Sequence, residues 1–144
     1  MKTTRFNTKI RTIFLSFLTV MLMVPFSLQA QKIPFKQSSV VPAAEGYVKI
    51  RADNNNNNII KIRIKNLAEI QRLDPAMQTY VVWMVTDRET TDNIGRINSS
   101  NNLRVSFKAV SSFQPIKIFI TAEVNESTQV PGETIVLSTD NFWE

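Results

Sequence analysis

The sequence contains no cysteine and no histidine. Disulfides, thiolate nucleophiles, soft metal sites and imidazole acid–base catalysis are therefore excluded together. A lipid anchor on an N-terminal cysteine is excluded with them. Serines are plentiful, but no histidine exists to activate one. Most of the lysines alternate with apolar residues and so point outward, where they stay charged and serve poorly as bases. No spacing singles out a pair of carboxylates, an arrangement this composition still permits. The expectation is a chain that is not an enzyme, with no catalytic residue, no cofactor and no metal.

A large positive excess is also missing, although the formal net charge is +5. Lys2, Arg5, Lys9 and Arg11 all lie in the first eleven residues, and without these four the remaining 13 Lys and Arg face 12 Asp and Glu. Nucleic-acid binding normally draws on a clustered positive excess, so it is not expected. The hydrophobic fraction of 43% is that of a globular chain rather than a disordered one. A length of 144 residues suits a single domain plus a targeting segment.

The targeting segment is read from the first thirty residues. A positive start is followed by the apolar run 12–28, interrupted by Pro25 near its end, and then by Gln29 and Ala30. This is the order of a secretory signal peptide over 1–30, with cleavage expected after Ala30. Leu28 stands where a small residue is usual. The run is also at the lower limit for a bilayer span, so an uncleaved anchor is the alternative. Either way the rest of the chain is expected outside the cytoplasm, in the periplasm, at the outer surface or secreted. Membrane contact is expected only through this segment if it stays uncleaved.

Residues 31–45 carry Pro34 and Pro42 and no periodicity, and read as an extended leader ahead of a domain over 46–144. From Gly46 onward the pattern has period two. Val48, Ile50 and Ala52 alternate with Tyr47, Lys49 and Arg51, and Ile60, Ile62 and Ile64 alternate with Lys61, Arg63 and Lys65. Asp53 and the asparagines 54–58 between them predict a hairpin turn. Residues 67–73 predict no more than one helical turn. The nearly continuous apolar run 79–86 predicts a central strand covered on both faces. Further strands are predicted at 94–97, 103–110, 116–123 and 134–137, with a polar loop over 87–93 and a turn at Pro131-Gly132. About seven short strands without a long helical pattern predict an all-β, antiparallel, immunoglobulin-like β-sandwich.

The second half carries a resemblance. Tyr80-Val81-Val82-Trp83-Met84-Val85 is followed by Asn93-Ile94-Gly95-Arg96-Ile97, then Phe119-Ile120-Thr121-Ala122-Glu123, then Pro131-Gly132-Glu133-Thr134-Ile135-Val136-Leu137. This order resembles the extracytoplasmic C-terminal domain of the bacterial anti-sigma-K factor family. The resemblance spans roughly residues 46–137 and is sharp only from Tyr80. It implies a β-sandwich and a sensor or interaction role outside the membrane. The family's zinc-bearing sigma-binding domain is not expected here, because cysteine and histidine are absent and eleven residues precede the apolar segment.

Three groups of residues qualify as candidate sites. Tyr80 and Trp83 are large aromatics on a predicted central strand, and core packing is the expectation for both. Being three apart, they face opposite sides of the strand and form no joint platform. Asp87, Glu89 and Asp92 share a loop, but calcium needs more oxygen ligands and usually a glycine turn, so a solvated loop is expected. Lys49, Arg51, Lys61, Arg63 and Lys65 share one face of the predicted hairpin, where an anionic partner would meet all five. The near-neutral body of the chain favours a solvated face that guards against edge pairing. The functional expectation is an exported, non-catalytic binding, structural or sensor-like module of the bacterial envelope, partnered by an unidentified envelope protein or glycan. An extracytoplasmic partner of a separate membrane-bound anti-sigma regulator is one alternative, and a carboxylate-based hydrolase another.

Overall fold

The computed structural model describes residues 32–98 and 104–143. The predicted signal segment, and the choice between cleavage and anchoring, lie outside them. Eight strands run in the order β1 (Lys32–Pro34), β2 (Glu45–Ala52), β3 (Asn58–Lys65), β4 (Thr79–Thr86), β5 (Thr91–Ile97), β6 (Arg104–Ser111), β7 (Pro115–Glu123) and β8 (Ile135–Ser138). One 3-10 turn, Ile70–Arg72, interrupts the β3–β4 connection. All pairings are antiparallel, in two sheets ordered β1-β2-β3-β6 and β5-β4-β7-β8. The chain crosses between sheets after β3, β5 and β6, which is the connectivity of an immunoglobulin-like sandwich.

The eighth strand is the one that 31–45 supplies. Lys32–Pro34 pairs with β2, Phe35 donates its backbone N–H to the Gly46 carbonyl, and Val41 and Ala44 are buried. The segment read as a leader is thus part of the domain from Lys32 on. Its prolines hid this, because Pro34 cannot donate to a ladder and only an edge strand tolerates it.

Alternation decides the faces. Val48 of β2 and Ile60, Ile62 and Ile64 of β3 turn inward and meet Tyr80, Val82 and Met84 of β4 and Ile118 and Ile120 of β7. These side chains stand roughly perpendicular to their sheets and fill the layer between them. The asparagine run closes the β2–β3 hairpin as predicted. Asp53 Oδ1 accepts the N–H groups of Asn55 and Asn57, and Asn56 takes the left-handed conformation that asparagine tolerates. The Asn57 backbone bond, reinforced by the Asn57 amide and Asn55, holds the Asp53 carboxyl below its ordinary range.

Strand β4 is covered on both faces, but by different things. Its inner residues meet the opposite sheet. Val81 and Trp83 turn outward and are nonetheless fully buried. Their partners across the β4–β5 ladder, Arg96 and Asn93, both hold the β7–β8 connection. Arg96 pairs with Glu126 at 2.6 Å, and Asn93 Nδ2 donates to the Thr128 carbonyl at 3.0 Å. A connection that leaves β7 and reaches β5 must cross β4, so it lies over Val81 and Trp83. Glu123 ties its far end, accepting the Gly132 N–H at 2.8 Å.

Candidate functional site

The outer face of the β1-β2-β3-β6 sheet carries the five predicted cations and three more. Register places Lys32, Lys49, Lys61 and Lys108 in one row straight across the four strands. The next row is Pro34, Tyr47, Arg63 and Ser106, and beyond it come Glu45, Lys65 and Arg104. On the other side Arg51 is followed by Ile59 and Val110. Neighbours in a row stand about 4.8 Å apart, and rows are separated by about 6.5 Å along the strands. The face is therefore a lattice of eight cations with one carboxylate, Glu45.

The ion pairs of the described residues leave the cations of this lattice out. The ion pairs Lys36–Asp140, Arg72–Glu69 and Arg96–Glu126 all use cations from elsewhere. Among the described residues none of the eight face cations has a carboxylate within ion-pair distance. Two ammoniums use an aromatic ring instead: Lys32 Nζ lies 5.2 Å and Lys49 Nζ 5.9 Å from the centroid of Tyr47. Like charges directly opposite on a sheet destabilise it, so the lysine row is a cost to the fold.

The near-neutral balance of the chain beyond residue 11 thus conceals a polar distribution. The fold gathers eight of the 13 cations on one face and sends all but one of the described carboxylates elsewhere. The hairpin's alternation singles out Lys49, Arg51, Lys61, Arg63 and Lys65, and the structure brings all five together. Lys32, Tyr47, Arg104 and Lys108 join them without having been singled out in the sequence. The alternation of Arg104 and Lys108 with Val105 and Phe107 showed that they face one way. What the sequence does not state is that β6 and β1 flank the hairpin on either side.

The surface is not flat. A depression of about 670 Å³ is lined by Lys32, Glu45, Tyr47, Arg63, Lys65, Arg104 and Ser106 among others. A second, of about 280 Å³, is lined by Tyr47, Lys49, Arg51, Ile59, Lys61 and Arg63. Tyr47 and Arg63 border both, so the two depressions follow one another along β2 and β3.

The other candidates have structural places. Tyr80 faces the core, and its hydroxyl donates to the Ala68 carbonyl at 3.0 Å. Burial pushes its pKa up to about 12. Trp83 faces the opposite way, stacks on Phe119 with ring centroids 6.4 Å apart, and donates its indole N–H to Thr121. Thr121 in turn donates to Glu123, so that buried carboxylate is engaged by a hydroxyl and a backbone N–H. Asp87 and Glu89 lie on the exposed β4–β5 turn, where Glu89 takes a left-handed conformation, and Asp92 lies on β5. Among the described residues no group of three acidic side chains is placed to hold a metal ion.

The segments on which an anti-sigma-K resemblance is expected fall on β4, β5, β7 and β8 with its approach, and those four strands form the sheet opposite the basic face. Compared with protein-family models, with curated proteins and with solved structures, the chain matches none.

Proposed function

We propose that the protein is an exported, non-catalytic binding module whose partner is anionic and docks on the outer face of the β1-β2-β3-β6 sheet. The observation that carries this is the uncompensated lysine row of Lys32, Lys49, Lys61 and Lys108. Protection against edge pairing accounts for a lysine on β1 or β6, the outermost strands of the sheet. It does not account for Lys49 and Lys61 on β2 and β3, which have neighbours on both sides. Solubility is served as well by interspersed charges of both signs, which carry no cross-strand repulsion. A face that costs stability and focuses one sign of charge is best explained by what it attracts. Export rests on the order of the first thirty residues, and N-terminal sequencing of the native protein, starting at Gln31, is its check.

The binding test uses dextran sulfate and long-chain polyphosphate as probes. The chain should bind both, and binding should fall as salt screens the exposed charges over about 8 Å at physiological ionic strength. The triple variant Lys61→Gln, Arg63→Gln, Lys65→Gln should lose binding without losing stability, since a surface substitution usually changes it by no more than about 0.5 kcal/mol and the loss of Lys61 relieves repulsion. Equal behaviour of the variant and the parent chain would sink the proposal.

A further inference from the structure

Tyr47 is the only aromatic side chain on the basic face among the described residues, and it stands where the two depressions meet. The ammoniums of Lys32 and Lys49 sit over its ring. Arg63 is its direct neighbour on β3. Resting on the anion-binding reading above, we infer that the partner is a linear acidic polysaccharide. It lies along β2 and β3 with a sugar ring against Tyr47 and its carboxylates on the flanking lysines and Arg63.

Shape supports an elongated ligand. The depressions succeed one another along the strand direction, and the cations beside them on β3 recur at every second residue, about 6.5 Å apart. A single small anion would meet two or three of these charges. A chain bearing one carboxylate per sugar would meet charges from Lys65 to Lys61 in succession, with its rings spanning the gaps. Sugar rings also have an apolar C–H face and a polar rim. The ammoniums of Lys32 and Lys49 lie over the Tyr47 ring, so a sugar takes the π face with its C–H groups by moving them onto its carboxylates, and both its surfaces are then matched.

Two other polyanions fit the face less well. A lipid bilayer would rest on the rims and leave the depressions unfilled. Peripheral membrane surfaces also pair their cations with apolar side chains that enter the headgroup region. The branched apolar residues of this face, Ile59 and Val110, stand together at one end of it. Single-stranded nucleic acid is held by successive bases stacking on several aromatic rings along a basic groove. One tyrosine supplies no such series.

The test compares four probes on the full chain at low and raised salt: polygalacturonate, its fully methyl-esterified form, a single-stranded oligodeoxynucleotide and phosphatidylglycerol vesicles. Binding is scored as the part lost in the Lys61→Gln, Arg63→Gln, Lys65→Gln variant, which removes any contribution from the apolar N-terminal segment. Polygalacturonate should bind at least several-fold more tightly than the other probes, and its methyl ester should not bind. Tyr47→Ala should weaken polygalacturonate binding several-fold, whereas Tyr47→Phe should preserve it, with thermal midpoints confirming that both variants fold. Face-dependent binding that prefers vesicles or the oligonucleotide, or a Tyr47→Ala variant with unchanged affinity, overturns the polysaccharide inference and leaves the anion-binding face standing. Loss of face-dependent binding to every anionic probe overturns both.

Discussion

The indole N–H of Trp83 donates to the Thr121 hydroxyl at 2.8 Å, on the side of β4 that faces away from the other sheet. That bond begins a chain from Trp83 through Thr121 and Glu123 to the Gly132 N–H, which fastens the β7–β8 connection over the outer face. Trp83 is therefore buried by its own chain's loop and not by the opposing sheet. Trp83→Ala should cost about 3–5 kcal/mol, the usual range for truncating a large buried aromatic. Small domains hold only about 5–15 kcal/mol in total, so the variant should unfold at a much lower denaturant concentration. A midpoint that scarcely moves would show that the loop does not seal this face.

Gly95 offers a second check on packing. Its φ of +140° is one that side-chain-bearing residues rarely adopt, and a Cβ there would come within 2.9 Å of the Phe107 ring. Gly95 also faces Val82 beside the bulge in the β4–β5 ladder. Gly95→Ala should therefore destabilise the domain by about 1–3 kcal/mol, the cost of holding an ordinary residue in a sparsely populated conformation. Chemical denaturation of the variant measures it, and a neutral outcome would contradict the backbone geometry at this bulge.

Tyr80 makes the fold sensitive to alkali. Burial raises its pKa from the ordinary 10.0 to about 12 in the folded chain. Between these values the unfolded chain ionises this phenol while the folded chain keeps it protonated. The unfolded state then binds fewer protons, so stability falls as pH rises from about 10 towards 12. Below about pH 10 this contribution is fully present. Urea midpoints measured across that interval should decline, and Tyr80→Phe should flatten the decline. The same substitution removes the hydroxyl's bond to the Ala68 carbonyl, so its midpoint near neutrality should be lower than that of the parent.

Much of this was legible in the residues themselves. Period-two alternation placed Ile60, Ile62 and Ile64 inward and Lys61, Arg63 and Lys65 outward, because a strand's geometry fixes alternate faces once one face is buried. The apolar run 79–86 announced a doubly covered strand, and the asparagines after Asp53 announced a hairpin. What was not legible depended on pairing between distant segments. No local property of Lys32 or Lys108 says that each lies in register with Lys49 and Lys61. The net charge was also a poor guide, because it sums over the whole chain while a partner meets one face. Trp83 was expected to be buried and is. That a loop buries it follows from Asn93 and Arg96 reaching Thr128 and Glu126, contacts with no signature in the sequence.

The lysine row makes a prediction that separates its structural and functional readings. Lys61 stands between Lys49 on one side and Lys108 on the other, at the separation of directly opposed residues. Opposed like charges destabilise a sheet and opposed unlike charges stabilise it, by about 0.2–1 kcal/mol per pair. Lys61→Glu converts two repulsions into two attractions and should raise the unfolding midpoint at low salt. The gain should shrink as salt is added, because these side chains are solvent-facing and the Debye length falls from about 10 Å at 0.1 M to about 3 Å at 1 M ionic strength. Lys61→Gln, which removes the repulsion without adding attraction, should fall between the two. If the row existed to stabilise the sheet, Lys61→Glu would instead lower the midpoint. A variant that is more stable yet binds polyanions less well would mean that the protein gives up stability to keep four lysines in line, and that trade is the mark of a binding surface.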